Sequence, residues 1–272
     1  MKTVISFLLL ALLLTSCEEV TDWSLPKGNN DFIVVNAIIT SELKNHVITL
    51  TMPISVINEK PQPVTRATVL VSTDQQVYAF HENPVNSGIY ISDTAFFGAS
   101  GQTYSVLITS GNKVYSAKAV LAAPSDFEFL HYDLDETGKQ YRFTITPKNY
   151  NPANPAMYEV LLDWSKASGF ENINPDSCKA KLYFYTLPTI DVSEVFAPGM
   201  ESITFPPGTV ITERRYSLTR EHAAFFRAVL LETTWQGGFF NTTSANVPTN
   251  LSEGASGFFG ACGVVEKQEI AK

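Results

Sequence analysis

Cysteine is almost missing from the chain: 272 residues contain only Cys17, Cys178 and Cys262. So few exclude a disulfide-dense miniature scaffold. Neither Cys178 nor Cys262 has a second Cys or His at the short spacing a zinc site needs. Basic residues are also in deficit, with 19 Lys and Arg against 27 Asp and Glu, for a formal charge of −8. That balance argues against nucleic acid as a partner and against electrostatic adhesion to an anionic membrane face. Charged residues make up only 17% against 44% hydrophobic, which excludes a disordered chain. No apolar run reaches the roughly 20 residues of a membrane-spanning helix. Catalytic signatures are missing as well: there is no G-x-S-x-G elbow, G-x-x-x-x-G-K-[ST] loop, G-x-G-x-x-G or H-E-x-x-H. His46, His81, His131 and His222 are scattered and read as structural. A Ser/His/Asp set assembled only in space stays open. No catalytic residue is assigned, no cofactor is implied, and the chain reads as a non-enzyme.

What is present begins at the N-terminus. Lys2 precedes an apolar run, Val4 to Leu14, interrupted only by Ser6. It has the length of a secretory signal core of about 7–15 residues. Leu14-Thr15-Ser16-Cys17 resembles the lipobox of bacterial lipoproteins, in which the Cys is acylated and becomes the mature N-terminus. Residues 1–16 are therefore expected to be a lipoprotein signal peptide, with Cys17 as the lipidation site. Residues 17–30, polar with Pro26 and Gly28, read as a flexible tether.

The body reads as mainly β. Residues 31–123 offer short alternating segments: Phe32–Thr40, His46–Met52, Ala67–Ser72, Val77–His81, Gly88–Ser92, a strand around Tyr104–Ile108, and Lys113–Leu121. This pattern predicts a β-sandwich of immunoglobulin or transthyretin type. A boundary is expected at Ala122-Ala123-Pro124. Residues 124–272 then form a second β-rich domain with long loops and one amphipathic helix near 220–235. Strands are expected at Phe127–Leu134, Tyr141–Thr146, Met157–Trp164 and Lys179–Thr186, with a last one near Gly257–Val265. The helix is capped by Thr219 and carries His222, Phe225, Phe226, Val229, Leu230 and Thr233 along one stripe.

Three groups of residues are candidates for more than packing. Cys178 and Cys262 remain after lipidation, either as a disulfide or as two buried thiols. Asp133-x-Asp135-x-Thr137-Gly138 opens like a calcium loop, but its twelfth position is Thr144 rather than Glu, so a hairpin turn competes with a calcium site. Tyr183-Phe184-Tyr185, Phe239-Phe240 and Phe258-Phe259 read either as core or as an exposed partner surface. Asn241-Thr242-Thr243 matches a glycosylation acceptor and is treated as chance.

Taken in order, several weak motifs resemble a known family. They are Cys17-Glu18-Glu19, Phe32-Ile33-Val34-Val35-Asn36, Ala67-Thr68-Val69, Gly88-Ile89-Tyr90 and Gly101-Gln102-Thr103-Tyr104. Near the end come Val247-Pro248-Thr249-Asn250-Leu251 and Gly257-Phe258-Phe259-Gly260. The chain is similar to the Bacteroidota outer-membrane lipoproteins of domain of unknown function 4249. Leu251 stands where the family pattern has Ile, and residues 165–207 match least. The resemblance implies an immunoglobulin-like N-terminal domain and an association with TonB-dependent outer-membrane transporters. It also implies that Glu18 and Glu19 are a surface-export signal, so the protein would be lipid-anchored on the outer face of the outer membrane. It supplies no catalytic residues. The leading expectation is an accessory or ligand-binding subunit of such a transporter, with the ligand itself unassigned. A fimbrial or adhesin subunit that exchanges a strand between chains is the alternative, and an envelope hydrolase comes third.

Overall fold

Side-chain alternation builds the first strands. In β1 (Ile33–Thr40) Ile33, Val35, Ala37 and Ile39 are buried while Val34, Asn36 and Ile38 face outward. The same period of two runs through β2 (Val47–Thr51), β3 (Thr68–Ser72), β4 (Val77–Glu82), β5 (Ile89–Ser92), β6 (Thr103–Ser110) and β7 (Lys113–Val120), as expected when one face of a sheet meets a core. In the computed structural model of the protein, the described residues are 32–54, 58–143, 154–187, 203–233 and 247–272. Cys17, Glu18, Glu19, the tether, Phe239-Phe240 and the Asn241 sequon lie outside them.

The inward side chains of these strands fill one core, in which Ile39, Ile48, Leu50, Tyr90 and Ile108 are fully buried. Each such side chain stabilises the fold by roughly 1.5–3 kcal/mol. Tyr90 is tolerated there because its hydroxyl is satisfied: it donates to Val64 O (2.8 Å) and accepts from Ala67 N (2.9 Å).

The sheet is completed from far along the chain. Its strand order is β14-β1-β2-β5-β4-β3-β6-β7, where β14 is Ala255–Cys262, running parallel to β1 with Ile33 opposite Ala255 and Thr40 opposite Cys262. The two ends of that order meet. Ala122, just past β7, donates its N–H to Ala261 O (3.3 Å) and accepts from Gly263 N (2.8 Å). The eight strands therefore curl into a barrel-like wall.

The remaining elements form two smaller sheets and a helix. β10 (Ala156–Asp163), β11 (Lys179–Thr186), β13 (Val210–Ser217) and β15 (Val264–Ile270) are ordered β11-β10-β13-β15. β8 (Tyr132–Leu134), β9 (Tyr141–Phe143) and β12 (Thr204–Phe205) are ordered β12-β9-β8. Val160, Leu162 and Ile211 on one face of the four-stranded sheet pack with Phe205, Tyr132, Tyr141 and Phe143 of the three-stranded one. At one end of the opposite face, Met157, Tyr185 and Tyr216 pack with Phe226 and Leu230 of α1 (Arg220–Thr233). Thr219 caps α1 as expected, its hydroxyl accepting from His222 N at 3.2 Å.

The fold is thus mainly β with one α-helix among the described residues, but several boundaries move. Residues 31–272 form one compact unit, and the division expected after Ala123 fails at the C-terminus, where β14 belongs to the first sheet and β15 to the second. The single final strand expected near Gly257–Val265 is these two strands, parted at Gly263. β13 was not expected at all, because its buried positions include Glu213 and Arg215 and so lack apolar alternation. The strand expected at Phe127–Leu134 shrinks to Tyr132–Leu134, since residues 127–130 are held by side chains instead of a ladder. Lys267 Nζ donates to Phe127 O, and Leu130 N donates to both carboxylate oxygens of Glu213 (3.0 and 3.2 Å).

Candidate functional site

The seam of the barrel is where its surface opens. Outside the strands, the short segment Val247–Ser252 lies in the gap between β7 and β14. Asn250 fixes it: its Nδ2 donates to Lys118 O of β7 (3.0 Å) and to Phe259 O of β14 (2.8 Å), and its Oδ1 accepts from Phe259 N (3.1 Å). Ser252 adds two links to β7, with its N donating to Ser116 O (2.8 Å) and its hydroxyl accepting from Ser116 N (3.0 Å). One carboxamide side chain thus ties both barrel edges together.

The two motifs of the C-terminal ending are explained by this seam. Gly257 has φ +93°, and a Cβ there would lie 2.1 Å from Val35 O, so close parallel pairing with β1 needs glycine. Phe258 points out of the barrel onto α1, stacking on His222 (4.6 Å) and Phe225 (5.0 Å). Phe259 points inward and is fully buried. A Cβ on Gly260 would stand 2.3 Å from the His222 ring, so this glycine makes room for the imidazole.

A cleft of about 630 Å³ runs along the β7 side of the seam, lined by Ser72, Ser105, Leu107, Ser116, Lys118 and the Asn250–Ser252 bank. Cross-strand register sets this lining: Lys118 faces Ser105, which faces Ser72, and Ser116 faces Leu107. These residues alternate with the buried core positions and so present their side chains outward. Leu107 is 43% exposed. The lining contains one cation, hydroxyl groups and an apolar patch, with no carboxylate or imidazole. Such a set can bind a ligand but has no acid–base pair to move a proton at neutral pH.

The groups that could do chemistry are sealed or paired elsewhere. His222 is 2% exposed and sandwiched between Phe226 (4.7 Å) and Phe258, with Cys262 Sγ 3.6 Å from its Nδ1. Burial pushes the imidazole down to about 3 and the thiol up to about 12. A neutral thiol facing a neutral imidazole is the reverse of an activated nucleophile. On the four-stranded sheet, Glu159 is buried. Burial alone would raise its pKa, but hydrogen bonds from Lys181 (2.6 Å) and Tyr183 (3.0 Å), with the charges of Lys181 and Arg214, hold it below the ordinary carboxylate value. Arg214 also pairs with Glu266 at 2.6 Å. Glu213 is fully buried, and burial lifts it to about 7 despite the Leu130 N–H, with Glu269 adding to the rise. Arg215 is 3% exposed and bonded to neutral groups: Tyr158 Oη, Ser217 Oγ, Ser125 O and the main and side chains of Asn154.

Of the residues singled out in the sequence, Cys262 meets His222 and Asp133 meets His131, but the two cysteines do not meet each other. Cys178 and Cys262 are two free buried thiols rather than a disulfide. Cys178 closes a 3₁₀ turn (Pro175–Cys178) before edge strand β11, while Cys262 ends β14 beside α1. In the Asp133–Gly138 loop, the β8–β9 hairpin is what forms. Asp135 Oδ1 accepts from Thr137 Oγ1 (2.7 Å) and from the amides of Lys139 and Gln140 (both 3.3 Å). Asp133 turns to His131 at 3.1 Å. The aromatics divide: Phe184 stacks on Tyr158 (4.4 Å) and Tyr185 packs on Phe226 (5.5 Å), while Tyr183 is half exposed and bonded to Glu159. Lys118 and its serine neighbours escaped sequence reading, although the outward alternation Val114-x-Ser116-x-Lys118 carried the signal. Glu159 was also legible, as the lone acid inside Met157–Leu162.

Among the described residues no helix is long and apolar enough to cross a membrane. No curated protein matches the chain. Residues 18–268 match the family described as Domain of unknown function (DUF4249), and the chain belongs to that family.

Proposed function

We propose that the protein is a non-catalytic, lipid-anchored module of the cell envelope, an accessory or ligand-binding subunit working beside a TonB-dependent outer-membrane transporter. The observation that carries this reading is the contrast between a preformed, solvent-open seam groove and acid, base and thiol groups that are buried or paired. Cys17 supplies the anchor, Glu18 and Glu19 the address to the outer face, and residues 17–30 the tether. Anchoring confines the groove near the membrane and raises its effective concentration toward a neighbouring barrel. The strand-exchange alternative needs an open sheet edge; beside β1 the chain's own β14 fills that place, which leaves β11 and β15 as the edges of the four-stranded sheet. An envelope hydrolase would need convergent reactive groups at an open site; the groove lining holds none, and the exposed His81–Asp93 and His131–Asp133 pairs lie outside it.

Mild crosslinking of cells followed by affinity purification tests the reading. Recovery with a TonB-dependent barrel is the expected result, and recovery alone argues strongly against it. SDS-resistant ladders of the chain would favour strand exchange instead. Cys17→Ala is expected to release the folded protein from the membrane fraction. Protease added to intact cells is expected to cut it; protection while a known surface protein is digested would rule out the outward-facing location.

A further inference from the structure

We propose that the seam groove is a binding site for a carboxylated sugar, with Lys118 as the residue that reads the carboxylate. The inference rests on the reading of the protein as a binding module and names the ligand class of that site. Among the described residues, no hydrogen bond or ion pair engages the Lys118 ammonium. Its own cross-strand row is Lys118, Ser105, Ser72 and Val77, and the row beside it is Ser116, Leu107, Leu70 and Ala79. Neither row holds an acid, in a chain where Asp and Glu outnumber Lys and Arg 27 to 19. An exposed cation whose cross-strand rows hold no acid, with Glu253 next to Ser252 outside the cleft lining, favours an anionic ligand group.

The rest of the lining selects what carries that anion. Ser72, Ser105, Ser116 and Ser252 offer short hydroxyl side chains, and Leu107 offers an apolar floor, a match for the hydroxyl edges and C–H face of a sugar ring. A peptide adding as a strand would need free main-chain groups on the outer edge of β7. There the carbonyls of Ser116 and Lys118 are already taken by Ser252 N and Asn250 Nδ2. The cleft volume of about 630 Å³ suits a short oligosaccharide, and its walls are fixed by strand hydrogen bonds and by Asn250, so little ordering opposes binding.

The test is a titration of the full chain in detergent with trigalacturonate, followed by calorimetry and by amide chemical shifts. Saturable binding is expected, with shifts centred on Ser105–Leu107, Ser116–Lys118 and Asn250–Ser252. Lys118→Gln keeps the fold and is expected to weaken binding about tenfold, and neutral trigalactose is expected to bind at least as weakly as trigalacturonate does to that variant. Ser105→Val is a second variant, expected to weaken trigalacturonate by several-fold without altering the circular dichroism. Equal affinity of Lys118→Gln, equal affinity for trigalactose, absence of saturable binding, or tighter binding of an acidic serine-containing peptide than of trigalacturonate would each overturn the proposal. The measurement is made on the isolated protein, so its result is independent of whether a transporter co-purifies.

Discussion

The barrel and the four-stranded sheet solve the same problem with different chemistry. Among its described residues, the barrel buries aliphatic and aromatic side chains with no Asp, Glu, Lys or Arg; its buried polar residues are His46, Ser92 and Thr40. The four-stranded sheet buries Glu159, Glu213 and Arg215. Apolar burial is nondirectional and tolerant of pH. Buried charge is directional: removing one partner strands the other, and stability becomes tied to protonation. The barrel therefore behaves as the rigid frame. The sheet's charged residues fix particular contacts, such as Glu213 beneath Leu130 and Arg215 beneath Asn154.

The largest expected effect attacks the frame. Gly257→Val forces a side chain into Val35 O at a positive φ, so it should cost more than about 3 kcal/mol or abolish folding, as read by urea unfolding. Retention of wild-type stability would mean that β14 does not pair closely with β1. Asn250→Ala, which removes three hydrogen bonds across the seam, should cost about 2–3 kcal/mol in the same assay. A loss no larger than that of an exposed asparagine would show that the barrel holds shut without its clasp.

Glu213→Gln sharpens the other side of the comparison. The folded pKa of Glu213 is raised to about 7 from 4.5. Its stabilisation is therefore complete below pH 4.5 and is lost as pH rises toward and through 7. The conversion of that shift gives an upper bound of about 3 kcal/mol, and relaxation should leave about 1–2. The variant should match wild type near pH 4.5 and exceed it by that amount at pH 8, as measured by melting at fixed salt. Identical profiles would remove Glu213 from the pH response. His46 and His222 work in the opposite direction. Burial lowers them to about 4 and about 3 from 6.5, so their stabilisation is present above 6.5 and is lost as pH falls toward those values. The acid limb of the profile should persist in Glu213→Gln.

The smallest expected effect is none. With both Cys178 and Cys262 free, dithiothreitol should leave the melting temperature unchanged, and both thiols should react with a maleimide only after unfolding. A reductant-sensitive melting point would restore the disulfide.

The barrel strands were legible because their inward faces are apolar at period two, from Ile33 to Ala119. The second sheet was less legible for the same physical reason in reverse. β13 carries Glu213 and Arg215 at buried positions, so polarity masks its period. The groove was the least legible feature. Its lining comes from β3, β6, β7 and the segment before β14, and nothing local marks Ser72, Ser105 and Asn250 as neighbours. Cys178 and Cys262 looked alike in sequence, yet one closes a turn beside an edge strand and the other faces an imidazole.

By itself the sequence determined the β class, the strands between residues 33 and 120 and the capped helix, since each is written in local spacing and side-chain type. Only the tertiary structure decided that residues 255–262 complete a sheet begun at residue 33, that Asn250 closes it, and that the strand rows around Lys118 hold no acid. The first two depend on pairings between residues more than a hundred positions apart and the third on strand register across residues 72 to 118, none of which local periodicity encodes.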